Sequence, residues 1–373
     1  MKTKLILSAA LCALTAACSN QYNCIIEGKV EGAADNDTLF IARLVDGEFT
    51  PADTICIVNG TFSFNEQMPA DSVVVAAYYY VNRKKEIAYN NYFFIEEGSI
   101  FLNVSEEPKR SGTVNNDLCQ KLDDSIAFIM RQKDEIYVML DTLQTDSVSL
   151  ESLDAYVQAQ DSLEQLNIKF ENTLRAFVTD NISQAAGTFI FLNAIQMFEP
   201  QEILDLCNNM YPNWRDNPAI LELKEQVEKV LRTSDGQQIT LPKMPTLKGD
   251  SLDIQAVIKA NKLTLIDCWA SWCDPCREEM PNVKELYKNY HKKGLEIIGI
   301  SFDDNKEAWQ KAIKEMELNW QHVSELKAWD NIMSLEYGVR YIPFTILVDS
   351  TGTIIATRLT GDDLAAAIAD QLD

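Results

Sequence analysis

The sequence predicts a chain of three parts: an antiparallel β sandwich or barrel at the N-terminus, an α-helical middle region and an α/β domain at the C-terminus. Short runs of β-branched and aromatic residues, separated by Gly, Asn and Asp, indicate the first part. Apolar residues recurring every three to four positions indicate the second, and strands alternating with helical segments indicate the third. The 373 residues, of which 46% are hydrophobic and 24% charged, are enough for two or three globular domains.

Residues 1–17 are predicted to form an export signal. Lys2 and Lys4 precede an apolar run from Leu5 to Leu14, which is too short to span a membrane. The small residues directly before Cys18 resemble the lipobox of bacterial lipoproteins, which implies that Cys18 becomes the lipidated first residue of the mature chain. Thr15 departs from that pattern, because leucine is usual at its position, and an ordinary secretory signal is the alternative.

The formal charge is −23, and most of the excess acidic charge lies before residue 240. Such a balance argues against nucleic acid as a partner and against electrostatic adhesion to anionic lipid. A solvated acidic surface is the expected meaning of this charge.

Residues 18–115 are predicted to form the β-rich domain. The expected strands are 24–30, 38–42, 61–64, 72–80, 92–95 and 99–104. Asn59-Gly60 has the composition of a hairpin turn, and regularly spaced short strands favour a sandwich or barrel. Cys24 and Cys56 could pair across neighbouring strands, or could be small buried thiols like Cys119 and Cys207.

Residues 116–235 are predicted to be helical. Two long amphipathic helices are followed by shorter ones near 183–196, 200–209 and 216–232. A helical bundle packed between the flanking domains is favoured over a coiled-coil dimerisation arm, because the heptads are not sustained for long.

Residues 236–373 are predicted to form a central sheet with helices on both faces. The expected helices are 253–260, 275–291, 304–318, 331–337 and 361–372. The expected strands are 263–269, 295–302, 344–348 and 353–358.

The segment LTLIDCWASWCDPCREEMP, residues 263–281, carries the chemistry. Cys273 and Cys276 follow a buried strand at the start of a helix, where the partial positive charge of the helix N-terminus favours a thiolate at the first cysteine. Cys276 lies one turn further on and can resolve a mixed disulfide. A zinc site is the alternative, but neither histidine has the spacing of a second ligand pair.

Together with Tyr341-Ile342-Pro343-Phe344-Thr345, this strand, Trp-Cys-x-Pro-Cys motif and helix resemble the thioredoxin fold, and most closely the TlpA/ResA-like thiol-disulfide oxidoreductases of the bacterial envelope. The resemblance covers roughly the last 135 residues, and a β-rich domain often precedes such domains. The segment from about 319 to 336 resembles the extra strand and helix of this branch.

The resemblance implies roles for further residues. Resolution needs a proton acceptor, and two carboxylates are candidates: Asp267 matches the buried acid of thioredoxin, and Glu279 matches the acid of the ResA-like branch. An acid on a buried strand is expected to have a raised pKa. Pro343 matches the cis proline opposite the cysteines, which leaves the backbone of Ile342 able to pair with an extended substrate, while Trp272 shields one side of the substrate site.

The predicted function is therefore that of a lipid-anchored, periplasm-facing enzyme of the cell envelope that reduces protein disulfides. Its redox group is the Cys273–Cys276 disulfide, with no metal or other cofactor, and the resemblance implies a membrane thiol-electron donor as reductant. A thiol peroxidase is one alternative, although the Pro-x-x-x-Thr-x-x-Cys loop of peroxiredoxins is lacking. A binding or assembly lipoprotein with an auxiliary redox domain is the other.

Overall fold

A computed structural model of the protein describes residues 21–82, 84–145 and 150–373. The chain divides into two compact units, of which the first ends at Leu223 and the second begins at Lys224. This division falls within a helix, Pro218–Leu231. The predicted domain boundaries stay predictions, and the predicted signal and Cys18 lie outside the described residues.

The first unit begins with two four-stranded sheets. Their strands are β1 (Gln21–Val30), β2 (Thr38–Val45), β3 (Glu48–Cys56), β4 (Thr61–Pro69), β5 (Val74–Asn82), β6 (Ile87–Ile95), β7 (Gly98–Val104) and β8 (Lys109–Ser111). One sheet has the order β4-β1-β7-β8 and the other β3-β2-β5-β6. Neighbouring strands are antiparallel except β1 and β7, which are parallel. The β-rich class is confirmed, with one parallel pair that the sequence did not predict.

The hairpin turn at Asn59-Gly60 is confirmed. Both residues have positive φ, 53° and 73°, and the backbones of Val58 and Thr61 exchange hydrogen bonds across them. Glycine adopts this left-handed conformation without the steric penalty of a Cβ, which explains its place in the turn.

Strand β3 was not predicted, because it lacks an alternating apolar pattern. Most of its residues are exposed, and it lies at the edge of its sheet. A bulge in its pairing with β2 places Pro51 opposite Ala42. Proline has no N–H to donate, so an edge strand is one of the few places in a sheet that tolerates it.

The helices that follow in the first unit are α1 (Val114–Thr145), α2 (Leu150–Asn181), α3 (Ala185–Asn193), α4 (Pro200–Asn209) and α5 (Pro212–Arg215). Helix α6 (Pro218–Leu231) begins in the first unit and ends in the second. The buried amide of Asn116 bonds both the N–H and the carbonyl of Phe94, at 3.0 and 2.7 Å, and so fixes the start of α1 against β6. Among the helices of the described residues, none is both long enough and apolar enough to cross a membrane.

The second unit is built on a five-stranded sheet. Its elements are β9 (Met244–Pro245), β10 (Ser251–Leu252), α7 (Ile254–Ala260), β11 (Leu263–Trp269), α8 (Asp274–Tyr290), β12 (Leu295–Ser301), α9 (Lys306–Met316), β13 (Gln321–Val323), α10 (Ile332–Leu335), β14 (Phe344–Asp349), β15 (Ile354–Thr357) and α11 (Gly361–Leu372). The sheet order is β13-β12-β11-β14-β15. Strands β11, β12 and β13 are parallel, and β14 is antiparallel to both β11 and β15. This is the predicted thioredoxin fold.

Strand β11 is buried along its whole length, because it is the central strand of this sheet. It leads through a short turn into α8, so the residues of the turn lie at the carboxyl end of the central strand. Loops at this end of an α/β sheet are the usual place for a site. The predicted extra strand and helix are also present, as β13 and α10.

Candidate active site

Cys273 and Cys276 form a disulfide at the start of α8. Cys273 is the N-cap residue, and its Sγ accepts a hydrogen bond from the N–H of Cys276 at 3.2 Å. Cys273 is 5% exposed and Cys276 is fully buried, so the first sulfur is the one that a substrate can reach. In the reduced protein, the same N–H and the helix dipole would stabilise a thiolate at Cys273.

The turn before Cys273 is held by a buried carboxylate. Asp303 accepts hydrogen bonds from the backbone N–H of Ser271 at 3.0 Å and from its hydroxyl at 2.5 Å. Asp303 also accepts a hydrogen bond from the hydroxyl of Ser301, at 2.7 Å. Asp303 was not among the residues predicted from the sequence. The signal that could have indicated it is an acidic residue soon after a buried strand, at the same end of the sheet as the cysteines.

Asp267 lies on β11, where its neighbours across the sheet are Gly299 and Thr345. Its side chain is 3% exposed, and Oδ2 has no hydrogen-bond partner in the protein. Burial, and to a lesser extent the negative charge of Glu279, raise the pKa of Asp267 to about 7. The predicted raised pKa of this acid is thereby confirmed.

Glu279 lies on α8 and is partly exposed. Its Oε1 accepts hydrogen bonds from the side-chain amide of Asn282 at 2.7 Å and from the backbone N–H of Gly361 at 2.8 Å. The two predicted carboxylates therefore differ: Glu279 is bonded to the first turn of α11, whereas Asp267 has a free oxygen.

Ile342 and Pro343 precede β14 and are joined by a cis peptide bond, as predicted. Phe344, the first residue of β14, lies opposite Cys268 in β11. Because Cys268 is near the end of β11, the Ile342-Pro343 segment lies at the same end of the sheet as the reactive cysteines. Both residues are partly exposed.

Aromatic side chains surround this end of the sheet. Trp272 is 52% exposed, and its ring centroid lies 6.4 Å from that of Trp329, which in turn lies 5.0 Å from that of Phe302. Tyr341 is 53% exposed and packs against Phe344. We call Trp272, Trp329 and Tyr341 the aromatic shelf. Trp329, which belongs to the inserted segment, was not predicted from the sequence.

The remaining cysteines of the described chain form no disulfide; they are Cys24, Cys56, Cys119, Cys207 and Cys268. The alternative of a Cys24–Cys56 bridge is wrong, because β1 and β3 belong to different sheets. The prediction of a buried thiol is confirmed for Cys24 and is wrong for Cys56, which is exposed on the edge strand β3. Within residues 21–82, 84–145 and 150–373, no group of three or more His, Cys, Asp or Glu side chains is arranged to hold a metal ion.

Two family profiles match the chain. One, described as thioredoxin-like, matches residues 261–354, and the other, a domain of unknown function (DUF4369), matches residues 24–119. The fold and the Cys273–Cys276 pair thus define a protein of the thioredoxin-fold oxidoreductase class.

Similar proteins of known name identify the family within this class. The chain is 30% identical over 138 residues to the thiol:disulfide interchange protein HelX of Rhodobacter capsulatus, covering 37% of this chain and 74% of HelX. It is 35% identical over 109 residues to the thiol-disulfide oxidoreductase ResA of Bacillus thuringiensis, covering 29% of this chain and 60% of ResA. The thioredoxin domain of a thiol-disulfide oxidoreductase from Bacteroides vulgatus is 31% identical, covers 38% of this chain and 99% of its own, and has a TM-score of 0.35. The chain belongs to the TlpA/ResA-like family of thiol-disulfide oxidoreductases.

Proposed function

We propose that this protein is a lipid-anchored enzyme of the cell envelope that faces the periplasm and reduces the disulfides of protein substrates. One observation carries the proposal. The sulfur of Cys273, which a substrate can reach, caps α8, and Cys276 is buried. The strand that leads into the motif carries Asp267, a buried carboxyl whose Oδ2 has no hydrogen-bond partner. A nucleophile, a resolving thiol and a proton acceptor are what the reaction requires.

The reaction begins with the reduced pair. The Cys273 thiolate attacks one sulfur of a substrate disulfide, forms a mixed disulfide and releases the other substrate sulfur as a thiolate. Asp267, as a carboxylate, takes the proton of the Cys276 thiol. The Cys276 thiolate then attacks Sγ of Cys273 and releases the second substrate sulfur. The substrate gains two electrons, and the enzyme is left with the Cys273–Cys276 disulfide, which a membrane thiol-electron donor reduces again.

Asp267 is the main proton acceptor in this proposal, because its Oδ2 has no competing partner. Glu279 is the second carboxylate of the site. Its oxygen accepts hydrogen bonds from Asn282 and Gly361, and its negative charge raises the pKa of Asp267, which makes the Asp267 carboxylate a stronger base.

Substrate binding is assigned to the exposed groups around Cys273. Ile342 and Pro343 would align an extended segment of the substrate by its backbone. Trp272 would cover one side of the scissile disulfide. Trp329 and Tyr341 enlarge this apolar contact, which suits apolar side chains next to a substrate cysteine that is exposed by partial unfolding.

The proposed lipid anchor and periplasmic location are inferred from the N-terminal sequence. Cys18 would carry the lipid, after a signal with Lys2 and Lys4 at its start. Cys18→Ser should move the full-length protein from the membrane fraction to the soluble periplasmic fraction, and the N-terminal peptide should lose the mass of its acyl chains. Retention of the variant in the membrane would contradict the lipid anchor.

The reduction potential of the Cys273–Cys276 pair tests the direction of the reaction. A potential near −270 mV, the value of thioredoxin, supports a reductase, whereas a potential near −120 mV would identify a disulfide-forming enzyme. Cys276→Ala should accumulate a mixed disulfide with its substrates through Cys273, and the double variant with Cys273→Ala should trap none. The absence of a reversible couple would overturn the enzymatic proposal.

A further inference from the structure

Ser271 and Trp272 are the central residues of a tight turn that joins β11 to α8. The turn is closed by a hydrogen bond from the N–H of Cys273 to the carbonyl of Ala270, at 3.2 Å. Cys273 is therefore both the last residue of the turn and the N-cap residue of α8. The orientation of this turn decides whether Sγ of Cys273 lies over the first N–H groups of the helix, which have no partner within the helix itself.

Asp303 binds Ser271 through both of its carboxylate oxygens. Oδ2 accepts the backbone N–H of Ser271 at 3.0 Å, and Oδ1 accepts its hydroxyl at 2.5 Å. Bidentate hydrogen bonding adds geometric specificity to the energy of the single bonds. Asp303 is 1% exposed, so water does not compete for these two bonds.

Asp303 is itself held in place from β12. The hydroxyl of Ser301 accepts the N–H of Asp303 at 3.0 Å and donates to its Oδ2 at 2.7 Å, which closes a local turn. The carbonyl of Ser301 accepts a hydrogen bond from the buried hydroxyl of Ser324, just after β13, at 3.0 Å. The carboxylate that holds Ser271 is thus fixed by contacts of its own, and a functional geometry requires this kind of support.

A buried carboxylate is a costly way to stabilise a turn. Removing a charge from water is unfavourable, and well-packed apolar residues in its place are often as stable or more stable. A buried ionic group can instead select one geometry over others. Here that geometry places Sγ of Cys273 where it accepts the N–H of Cys276, at 3.2 Å. In the reduced protein, this N–H and the positive end of the α8 dipole favour the Cys273 thiolate.

We propose that Asp303 is a positioning residue for the nucleophile: through Ser271 it holds Cys273 at the N-terminus of α8 and so keeps its thiolate populated at neutral pH. This inference rests on the proposed role of Cys273 as the attacking thiol. No bond forms or breaks at Asp303, and no proton passes through it. Without its two hydrogen bonds the turn can rotate, and Cys273 moves away from the N–H groups that stabilise its charge.

Several other charged groups lie on the elements that meet at this end of the sheet. They are Asp267 of β11, Asp274, Arg277 and Glu279 of α8, Asp304 after β12, Asp330 beside Trp329, and Arg340 before the cis peptide bond. Apart from a control at Asp304, all of them are unchanged in the variants that test the proposal. Their charges therefore cannot produce the expected change.

The charge of Asp303 and its hydrogen bonds act on Cys273 in opposite directions. A nearby negative charge disfavours a thiolate, and its removal would lower the pKa of the Cys273 thiol. Loss of the helix N–H groups would raise that pKa instead. The sign of the change in an Asp303 variant therefore distinguishes positioning from charge.

The test measures the pKa of the Cys273 thiol in the reduced, full-length protein. The pH dependence of alkylation by iodoacetamide gives this pKa, and mass spectrometry assigns each modified peptide, because Cys56 is also exposed. Asp303→Asn keeps the size of the side chain but offers one acceptor oxygen in place of two. It should raise the pKa of Cys273 by about one unit, towards the ordinary value of about 8.5. A lowered or an unchanged pKa would overturn the inference.

Ser271→Ala tests whether the effect passes through Ser271. It removes the hydroxyl bond and keeps the N–H bond, so the pKa of Cys273 should rise by about half as much as in Asp303→Asn. The double variant should show no further rise beyond Asp303→Asn, because both substitutions remove the same interaction. Additive rises would mean that Asp303 acts independently of Ser271 and would contradict the proposal.

Asp304→Asn is the matched control, because it removes an exposed acid directly after Asp303. It should keep the wild-type pKa of Cys273, and a rise equal to that of Asp303→Asn would contradict the proposal. A further measurement needs no variant. The Ser271 amide should exchange its hydrogen slowly in both the oxidised and the reduced protein, since its carboxylate partner is present in both. Exchange as fast as that of an exposed turn would also count against the inference.

Trapping with Cys276→Ala separates this inference from the proposed function. If that variant traps no substrate through Cys273, the proposed function fails, and the role of Asp303 fails with it. If it traps substrate while Asp303→Asn leaves the pKa of Cys273 unmoved, only the role of Asp303 fails.

Discussion

The carboxylate of Glu279 accepts a hydrogen bond from the backbone N–H of Gly361 at 2.8 Å. Gly361 begins α11, and the N-cap residue Thr360 makes no side-chain capping bond of its own. Glu279 therefore acts as the cap of a helix 82 residues away in sequence. This capping bond distinguishes Glu279 from Asp267, whose Oδ2 accepts no hydrogen bond.

Glu279→Gln should shift the pH midpoint of disulfide reduction to lower pH, because a negative charge that raises the pKa of Asp267 is lost. Glutamine can still accept the hydrogen bond of Gly361. Glu279→Ala should show the same shift and also lose about 1 kcal/mol of the free energy of unfolding, the typical value of a helix cap. The measurements are pH-rate profiles and urea denaturation. If the pH-rate profile of Glu279→Gln has no midpoint, Glu279 and not Asp267 is the proton acceptor.

Asp267→Asn should lower the rate of resolution at pH 7 by roughly 100-fold, the lower range for the loss of a general base. Formation of the mixed disulfide at Cys273 should be nearly unaffected, because it precedes the proton transfer. Single-turnover kinetics with a protein disulfide separate the two steps. Equal slowing of both steps would contradict the assignment.

The same substitution should stabilise the oxidised protein at high pH. The pKa of Asp267 is raised from 3.8 to about 7, so between these values the folded protein holds a proton that the unfolded chain has released. The free energy of unfolding therefore falls as the pH rises through this window, by up to about 4 kcal/mol in total. Urea denaturation should give Asp267→Asn a larger free energy of unfolding than the wild type at pH 8, and this difference should shrink towards pH 4. A difference that is independent of pH would contradict the raised pKa.

The local parts of the site were predictable from the sequence, and the non-local parts were not. The strand, turn and helix around Cys273 lie within one short segment, so burial of Asp267 followed from its apolar neighbours. Other contacts depend on how distant elements are arranged: Asp303 bonds Ser271, and Glu279 caps α11 at Gly361. No local pattern encodes these contacts. The exposed strand β3 escaped prediction because an edge strand with polar residues on both faces lacks the period-two signal.

Trp329→Ala should raise the KM for a protein disulfide several-fold, because it removes an exposed indole that packs on Trp272. The rate with a small aromatic disulfide, which cannot span the aromatic shelf, should change little. Leu335→Ala removes an exposed apolar side chain outside the aromatic shelf and serves as control. An unchanged KM in Trp329→Ala would exclude Trp329 from substrate binding.

Asp303→Ala should destabilise the oxidised protein by about 3 kcal/mol, since three hydrogen bonds to a buried carboxylate are lost and the hydroxyls of Ser271 and Ser301 are left without it. Asp304→Ala removes the neighbouring exposed acid and should have little effect. Thermal denaturation compares the two variants. A small loss in Asp303→Ala would mean that the turn before Cys273 is held by other contacts.

Strand β3 closes one side of its sheet with Pro51 and a bulge, and Glu48 and Asp53 are exposed along it. An open sheet edge pairs readily with any extended polypeptide that comes near it, and proline, charges and bulges are the means by which proteins prevent this. The composition of β3 therefore protects this edge of the β domain from pairing with an extended polypeptide, and so protects the domain from aggregation by way of its own sheet.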